Sequence, residues 1–562
     1  MRTTGKLAQL PTALRSLRAL RPAQALAQVH HLVFGLPAPR RATGPSPTLA
    51  LERAATPFLS PPAHVRTHRD GSLELLAMRW QPGRPIDWEH DGHGPLFAYH
   101  LHQHDWLRGP LWTPEERALQ LLDWIARHPR GIGWDPHPVS LRLLVWGKLM
   151  LTPGALPADP VLRARLLGSL ADQAETLDHG LEIRLQANHL LSNLLGVVFA
   201  GLLVDGSSSA RWRGRALLLA REIEAQIHPD GGHEERSPMY HALLLEALLD
   251  LLNLCRAAPG RAPEGLVDSL VAAVARMGRA LDVLVHPDGR IALFADSGFD
   301  IAAEPAVLRD YAARLGCPPA DEANDDDAMS RSVHLPQTGY LRLLAGGFDL
   351  IASVAGPSPP HQPGHAHADA LSFELSVDGR RVVTDSGNFE YRPGARRDHA
   401  RSTAAHATLQ VDGAEQAELW SAHRVGGRPE VRMLGWDGAG RAEAACRGWS
   451  RPSTWHRRTF EVTADGVTLV DRVEGPTESV TSRLPIASEW HVELVGPARR
   501  RAIVLDATTG VACLELDLPE GLDWRIERAE SFPSFGRVEE RFVLVGRGRA
   551  CSEAITRLRR PR

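Results

Sequence analysis

Residues 364–391 read GHAHADALSFELSVDGRRVVTDSGNFEY. His365, His367 and Asp369 alternate, so on a strand all three would point to one face. Such a row is costly against a core unless a metal, a proton-transfer task or solvent absorbs it. Asp385 follows beyond a VDGR turn, and His406 stands in STAAHATLQVDG near the start of another strand. Two imidazoles and one carboxylate (His367, Asp385 and His406) brought in by three neighbouring strands have the composition of a zinc site with one or two open positions. The spacing alone fits a surface histidine pair as well, and His399, in RRDHARST, competes with His406 as a ligand.

Two further sets could do chemistry. The segment 181–204 is mostly Leu, Val and Ala, yet Asn188 with Ser192 and His189 with Asn193 fall four apart, with Gly196 continuing the stripe. A polar stripe on an apolar helix needs partner side chains or a cleft. In HPDGGHEERSPMYHALLLEALL, a Gly-rich turn leads into a helix that carries Arg236 and Tyr240 in its first turns. The positive helix end and Arg236 would favour the phenolate and suit Tyr240 to proton shuttling. The bland alternative is a packed tyrosine whose hydroxyl meets a backbone carbonyl.

These residues fall on two kinds of scaffold. From about 113 to 286 apolar residues recur at spacings of three and four, in seven or more blocks that start at Ser, Thr or Pro. This predicts an all-α domain of antiparallel hairpins that can wind into an α/α toroid. After about 325 the helical period gives way to strand-like runs separated by turns such as VDGR and ADGV, which predicts an antiparallel β-sandwich. The expected plan is an α+β multidomain chain: an arm over 1–69, a toroid over 70–320, an acidic linker over 321–330 (DEANDDDAMS) and a sandwich over 331–562.

Composition narrows the function classes. At 562 residues the chain is too long for one core. A net charge of -3 gives no basic excess for nucleic acid. Five scattered cysteines without a CxxC pair argue against a disulfide framework. The basic N-terminus lacks an unbroken apolar core ahead of a small-residue cleavage site, so no signal peptide is expected. No stretch is long and apolar enough to predict stable membrane insertion.

In the order NHLLSN, SPMYH, GHAHADALSFELSVDGRRVVTDSGNFEY and STAAHATLQVDG, the chain resembles the heparinase II/III family of polysaccharide lyases, over roughly 75–562. LFAYHLHQHDWL and WDPHPVSLRLLVWGK also resemble the family's N-terminal region. The resemblance implies an incomplete toroid before a sandwich, a cleft between them, and cleavage of a uronate-containing acidic polysaccharide by β-elimination. It implies a catalytic set of Asn188 and His189 near the uronate, Tyr240 as base, acid or both, and His365 facing substrate from the sandwich. It also implies a structural zinc on His367, Asp385 and His406, with Asp369 beside them, and no organic cofactor. Arg236, Arg142, Trp134 and Trp146 are expected sugar contacts, the last three having toroid core as their alternative. The family setting points to the periplasm or cell envelope, with the cytoplasm left open by the N-terminus.

The chemistry explains these residue types. A donor pair must neutralise the uronate carboxylate before the C5 proton can leave, and an acid must protonate O4. Three rivals remain. A toroid glycoside hydrolase would use two of Glu182, Glu234, Glu235 and Asp296. A non-catalytic polysaccharide-binding protein of exopolysaccharide synthesis or export would keep the aromatics. A zinc hydrolase would need Asp369 as its base.

Overall fold

The computed structural model describes residues 10–36, 38–317, 331–549 and 553–561. The linker expected over 321–330 lies outside the described residues. Helices are α1 Leu10–Leu17, α2 Pro22–Phe34, α3 Pro95–Gln103, α4 Pro114–Arg127, α5 Pro136–Leu151, α6 Pro160–His179, α7 Ala187–Leu203, α8 Ser209–Gly214, α9 Ala216–Gln226, α10 Pro238–Ala257, α11 Leu266–Val283, α12 Pro305–Arg314 and α13 Ala395–Arg401. From α3 to α12 they form an incomplete α/α toroid, and the rest of the chain after it is an antiparallel β-sandwich.

Local chemistry sets the helix starts. Thr113 caps α4 by accepting from Glu116 N, and the Glu116 carboxylate accepts in return from Thr113 N. Ser237 caps α10 by accepting from Tyr240 N at 3.2 Å, with Pro238 opening the helix. Helix α7 begins at 187, six residues later than the apolar run suggests, because Gln186 and Ala187 have φ of 62° and 47°. That turn leaves Asn188 and His189 in the first turn of the helix. Helix α7 is buried almost all round and crosses α5 closely. A Cβ on Gly196 would meet the Ser140 backbone at 3.0 Å, and one on Gly147 would meet Phe199 at 2.3 Å. Helix α10 is long and apolar enough to cross a bilayer, but 78% of that stretch is buried inside the protein, so it reads as a core helix.

The sandwich holds three larger sheets. A five-stranded sheet runs in the order Arg380–Val383, Phe373–Val377, Phe348–Ser353, Tyr340–Ala345, Val333–Leu335. An eight-stranded sheet runs from Glu430–Trp436 to Trp490–Val495, and a four-stranded one pairs Leu409–Val411, Val480–Pro485, Glu539–Gly548 and Leu522–Ser531. Phe348, Leu350, Phe373, Phe460, Leu469 and Leu558 share the core between them.

Arg236 corrects one expectation. Its backbone has φ 58°, and its guanidinium turns away from the cleft into the sandwich. It donates to Thr338 O (2.6 Å), Gly339 O (3.1 Å), Ser353 Oγ (3.1 Å) and Gly356 O, while Tyr340 Oη donates to Arg236 O at 2.5 Å. A planar fork with several donors meets three carbonyls and a hydroxyl, which Lys cannot copy. Arg236 is a staple between toroid and sandwich, not a sugar contact. Arg236→Ala leaves these buried acceptors unpaired and is expected to lower stability by about 2–4 kcal/mol, with Arg236→Lys recovering little. A urea midpoint unchanged in Arg236→Ala would show that the staple contributes nothing.

Candidate functional site

A cleft of about 740 Å³ lies between the two halves. The toroid contributes Tyr99, His137, Arg184, Asn188, His189, Glu235 and Tyr240, and the sandwich contributes Gln362, His365, Tyr391, His423 and Arg424. The arm helices reach its mouth through Leu17, Leu20, Gln24, Gln28 and Leu32. Behind Tyr240 and Tyr391 is a smaller cavity of about 160 Å³ in the toroid, bordered by His64, His100, Lys148 and Asp250.

The structure brings the four expected catalytic residues to this cleft. Tyr240 stacks on His365 with ring centroids 3.9 Å apart, and its hydroxyl shares a 2.9 Å hydrogen bond with the Tyr391 hydroxyl. The phenolate expectation is reversed. Burial raises the Tyr240 pKa above the ordinary phenol value, the Tyr391 hydrogen bond offsets this only in part, and Arg236 is turned elsewhere. Tyr240 rests as the neutral phenol. Asn188 anchors its backbone N–H on Glu235 Oε1 at 2.8 Å. His189 faces the cleft with Nδ1 3.1 Å from Glu182 Oε2. Asn193, on the same expected stripe, instead closes a seam: Glu182 N donates to its Oδ1 at 2.9 Å and its Nδ2 donates to Glu182 Oε2 at 3.2 Å.

His365 and His367 do not lie on a strand. Residues 360–372 form a loop, and the strand begins at Phe373. Both imidazoles converge on one buried carboxylate: His365 Nδ1 lies 2.9 Å from Asp296 Oδ2, and His367 Nε2 lies 2.9 Å from Asp296 Oδ1. Arg397, on α13, grips both oxygens of the same carboxylate, one contact at 2.9 Å. Burial alone would raise the Asp296 pKa, but the Arg397 charge and the histidine hydrogen bonds outweigh it and hold the group well below the carboxylate range. His365 Nε2 lies 3.4 Å from Glu235 Oε2.

His367, Asp385 and His406 come together, each buried, with one potential ligand atom from each within 4.8 Å of the others. They arrive on loops at strand ends, not on three strands. His406 Nδ1 is 2.7 Å from Asp385 Oδ2, and Asp385 N donates to Glu374 Oε1 at 2.9 Å. His367 Nδ1 and His406 Nε2 are buried without a hydrogen-bond partner. Two free ring nitrogens beside a carboxylate suit a divalent metal of zinc type. His399 stays outside the trio, and Asp369 contributes its charge toward His406. Buried arginines fix these loops through carbonyls: Arg458 to Leu371 and Ala407, Arg541 to Thr384, Asp385 and Ala405, and Arg401 to Ala366.

The other expected sugar contacts are toroid core. Arg142 is fully buried, donating to Gln173 Oε1, His102 O and Gly133 O, with its guanidinium 4.2 Å from the Trp124 ring centroid. Trp146 is buried with Nε1 on His104 Nδ1, and Trp134 stacks on Trp124 with Nε1 on His128 O. Arg184 and Arg424 are the cleft's arginines among the described residues. Sequence reasoning passed over Tyr391, although it ends the quoted stretch, and took Asp296 only as a hydrolase carboxylate. Of the four carboxylates from which the hydrolase rival would draw its pair, Glu235 alone lines the cleft among the described residues.

The comparisons agree with this architecture. Residues 80–322 match the heparinase II/III N-terminus and residues 328–556 the heparinase II/III-like C-terminal model. The chain belongs to the heparinase II/III-like family. It is 28% identical over 432 residues to FtsZ-localized protein C of Caulobacter vibrioides, covering 74% of this chain and 68% of that protein. It is 27% identical over 364 residues to heparin-sulfate lyase of Pedobacter heparinus, covering 60% of this chain and 52% of that protein, so the match spans about half of that relative. The fold matches the crystal structure of heparinase III with a TM-score of 0.67 at 16% identity, over 96% of this chain and 85% of that one. It matches heparan sulfate lyase from Pedobacter heparinus with a TM-score of 0.57 at 19% identity, over 88% and 81%.

The Glu182–His189 pair carries a pH signature. Burial opposes both charges, but His189 holds Glu182 down at about 2 and Glu182 raises His189 above its ordinary value. The depressed carboxylate stabilises the fold above its unfolded pKa of about 4.3 and loses this as pH falls toward its folded value. The raised imidazole stabilises it fully below its unfolded pKa of about 6.5 and loses this as pH rises through its folded value. The stability gap between wild type and Glu182→Gln is therefore expected to be widest between about pH 4.5 and 6.5 and to narrow on both sides. Urea unfolding across pH reads this, and a flat gap would break the pair's assignment.

Proposed function

We propose that this protein is a polysaccharide lyase that cleaves a uronate-containing acidic polysaccharide by β-elimination at a 1,4 linkage. The observation that carries the reading is the meeting, in one cleft, of the stacked Tyr240–His365 pair and the Asn188–His189 edge of α7. The match to heparin-sulfate lyases supports the substrate class.

The Asn188 amide and the His189 imidazolium neutralise the uronate carboxylate, so that charge can develop at C5. Glu182 favours the protonated form of His189. Tyr240, resting as the neutral phenol, donates its proton to the departing O4, and the Tyr391 hydroxyl orients it. His365 takes the C5 proton on Nε2, because Asp296 holds its Nδ1–H and fixes the tautomer. Arg184 and Arg424 attract the acidic chain. His367, Asp385 and His406 would hold a zinc ion, which supplies a brace between the loops that carry His365 and Asp385. Such a polymer would be met in the periplasm or cell envelope. A second reading, a polysaccharide-binding protein without activity, draws on FtsZ-localized protein C, a relative named for its location and not for a reaction.

Incubation with a panel of uronate polymers is expected to raise the ultraviolet absorbance of the unsaturated sugar end, and Tyr240→Phe is expected to cut the rate by about 10²–10⁴-fold. A rate kept in the mutant would remove Tyr240 from the chemistry. No absorbance rise on any polymer, from folded protein, would favour the binding protein. Independently, metal analysis is expected to find one zinc per chain in wild type and none in His406→Ala, with chelation lowering the melting temperature. A metal-free wild type that chelator does not destabilise would discard the zinc brace.

A further inference from the structure

The arm is an amphipathic helix turned inside out. On α2 the stripe that faces the protein is polar: Gln24, Gln28 and His31, at helical spacing with Ala27. Gln24 is buried, donating to Leu185 O on the toroid and His361 O on the sandwich, both at 3.3 Å. The opposite face is apolar and open. Leu26 is 74% exposed, Val29 61%, Val33 67% and Phe34 71%, while Leu32, at 75%, edges the cleft mouth beside Gln28. A surface helix ordinarily buries the apolar side and wets the polar one. Among the described residues, eight of the eighteen exposed large hydrophobics lie between Leu14 and Leu36, so the exposure is concentrated and not the usual scatter.

The charge of the arm selects the occupant. Residues 1–51 contain seven Lys or Arg and no Asp or Glu, in a chain whose net charge is -3. Among these, Arg18, Arg40 and Arg41 are exposed. A second copy docked on the same patch would set one basic arm against another. An anionic lipid surface meets both requirements: headgroups for the cations and an acyl boundary for the apolar face.

The arm is not loosely attached. Arg15 and Thr12 grip Glu418, Trp420 Nε1 donates to Ser16 Oγ at 2.9 Å, and Ser16 Oγ donates to Val425 O at 3.0 Å. Arg21 Nη1 donates to Gln186 Oε1 at 3.1 Å. These contacts hold the helix with its apolar side outward, already shaped for an interface.

We propose that helix α2 docks this protein onto the surface of an anionic lipid bilayer, lying in the interface plane with Leu26, Val29, Val33 and Phe34 in the acyl boundary and the arm's exposed arginines at the headgroups. This is surface docking and not insertion. It stands on the arm alone and does not depend on the lyase reading.

The full chain is mixed with phosphatidylglycerol/phosphatidylethanolamine vesicles and sedimented, with pure phosphatidylcholine vesicles as the neutral control. Wild type is expected in the pellet with the anionic vesicles, and less so with neutral ones or at high salt. Val29→Glu/Val33→Glu is expected to lower the bound fraction at least tenfold with the thermal transition unchanged. Should that variant melt early, Val29→Ser/Val33→Ser takes its place with the same expectation. Wild type left in the supernatant with the anionic vesicles, or variants that bind as wild type does, would overturn the proposal. So would a lipid-free dimer that the substitutions dissolve, since a second copy would then be the occupant.

Discussion

One carboxylate joins the two halves of the site. Asp296 closes the toroid side of the domain boundary, and its two oxygens take Arg397, His365 and His367 from the sandwich. A buried carboxylate with a single imidazole partner would be a liability. The Arg397 fork supplies the compensating charge, and the histidines take the remaining acceptor directions. Through His365 the carboxylate orients a ring in the cleft, and through His367 it reaches the metal-type trio. Cleft and trio are thus two ends of one polar network, and each depends on the same alignment of the halves.

Around this network the fold uses arginine where a loop would otherwise leave carbonyls unpaired. Arg401, Arg458 and Arg541 end on backbone oxygens of the segments that carry site residues, and Arg236 on those of the domain boundary. Loops 360–372 and 402–408 make few backbone hydrogen bonds to neighbouring segments, so these side chains add for them what a sheet does for a strand. The site is irregular in backbone and yet fixed in place.

The toroid and sandwich were legible because their signals are local: apolar spacing of three and four before about 286, turn-separated strands after about 325. The trio of His367, Asp385 and His406 was legible from residue type and family resemblance. What local pattern could not reveal was direction. Alternation of His365 and His367 looks like a strand, but PSPPHQPGH ahead of them is a loop by composition, and an extended loop alternates too. Arg142 and Arg236 carry the right charge for an acidic substrate, and only the packing shows that one lies under Trp124 and the other in a domain boundary. Asp296 and Arg397 are a hundred residues apart, and no periodicity joins them.

The strap formed by the two arm helices has a kinetic meaning. It is pinned to Glu418 of the sandwich and to Gln186 of the toroid, and Leu17, Leu20, Gln24, Gln28 and Leu32 lie along the mouth between them. A polymer lying beneath such a bridge would leave by sliding along its own length, because lifting away would require the strap to break its contacts with both domains. Retention between successive encounters would then be a property of the architecture and not only of how tightly any one sugar is held.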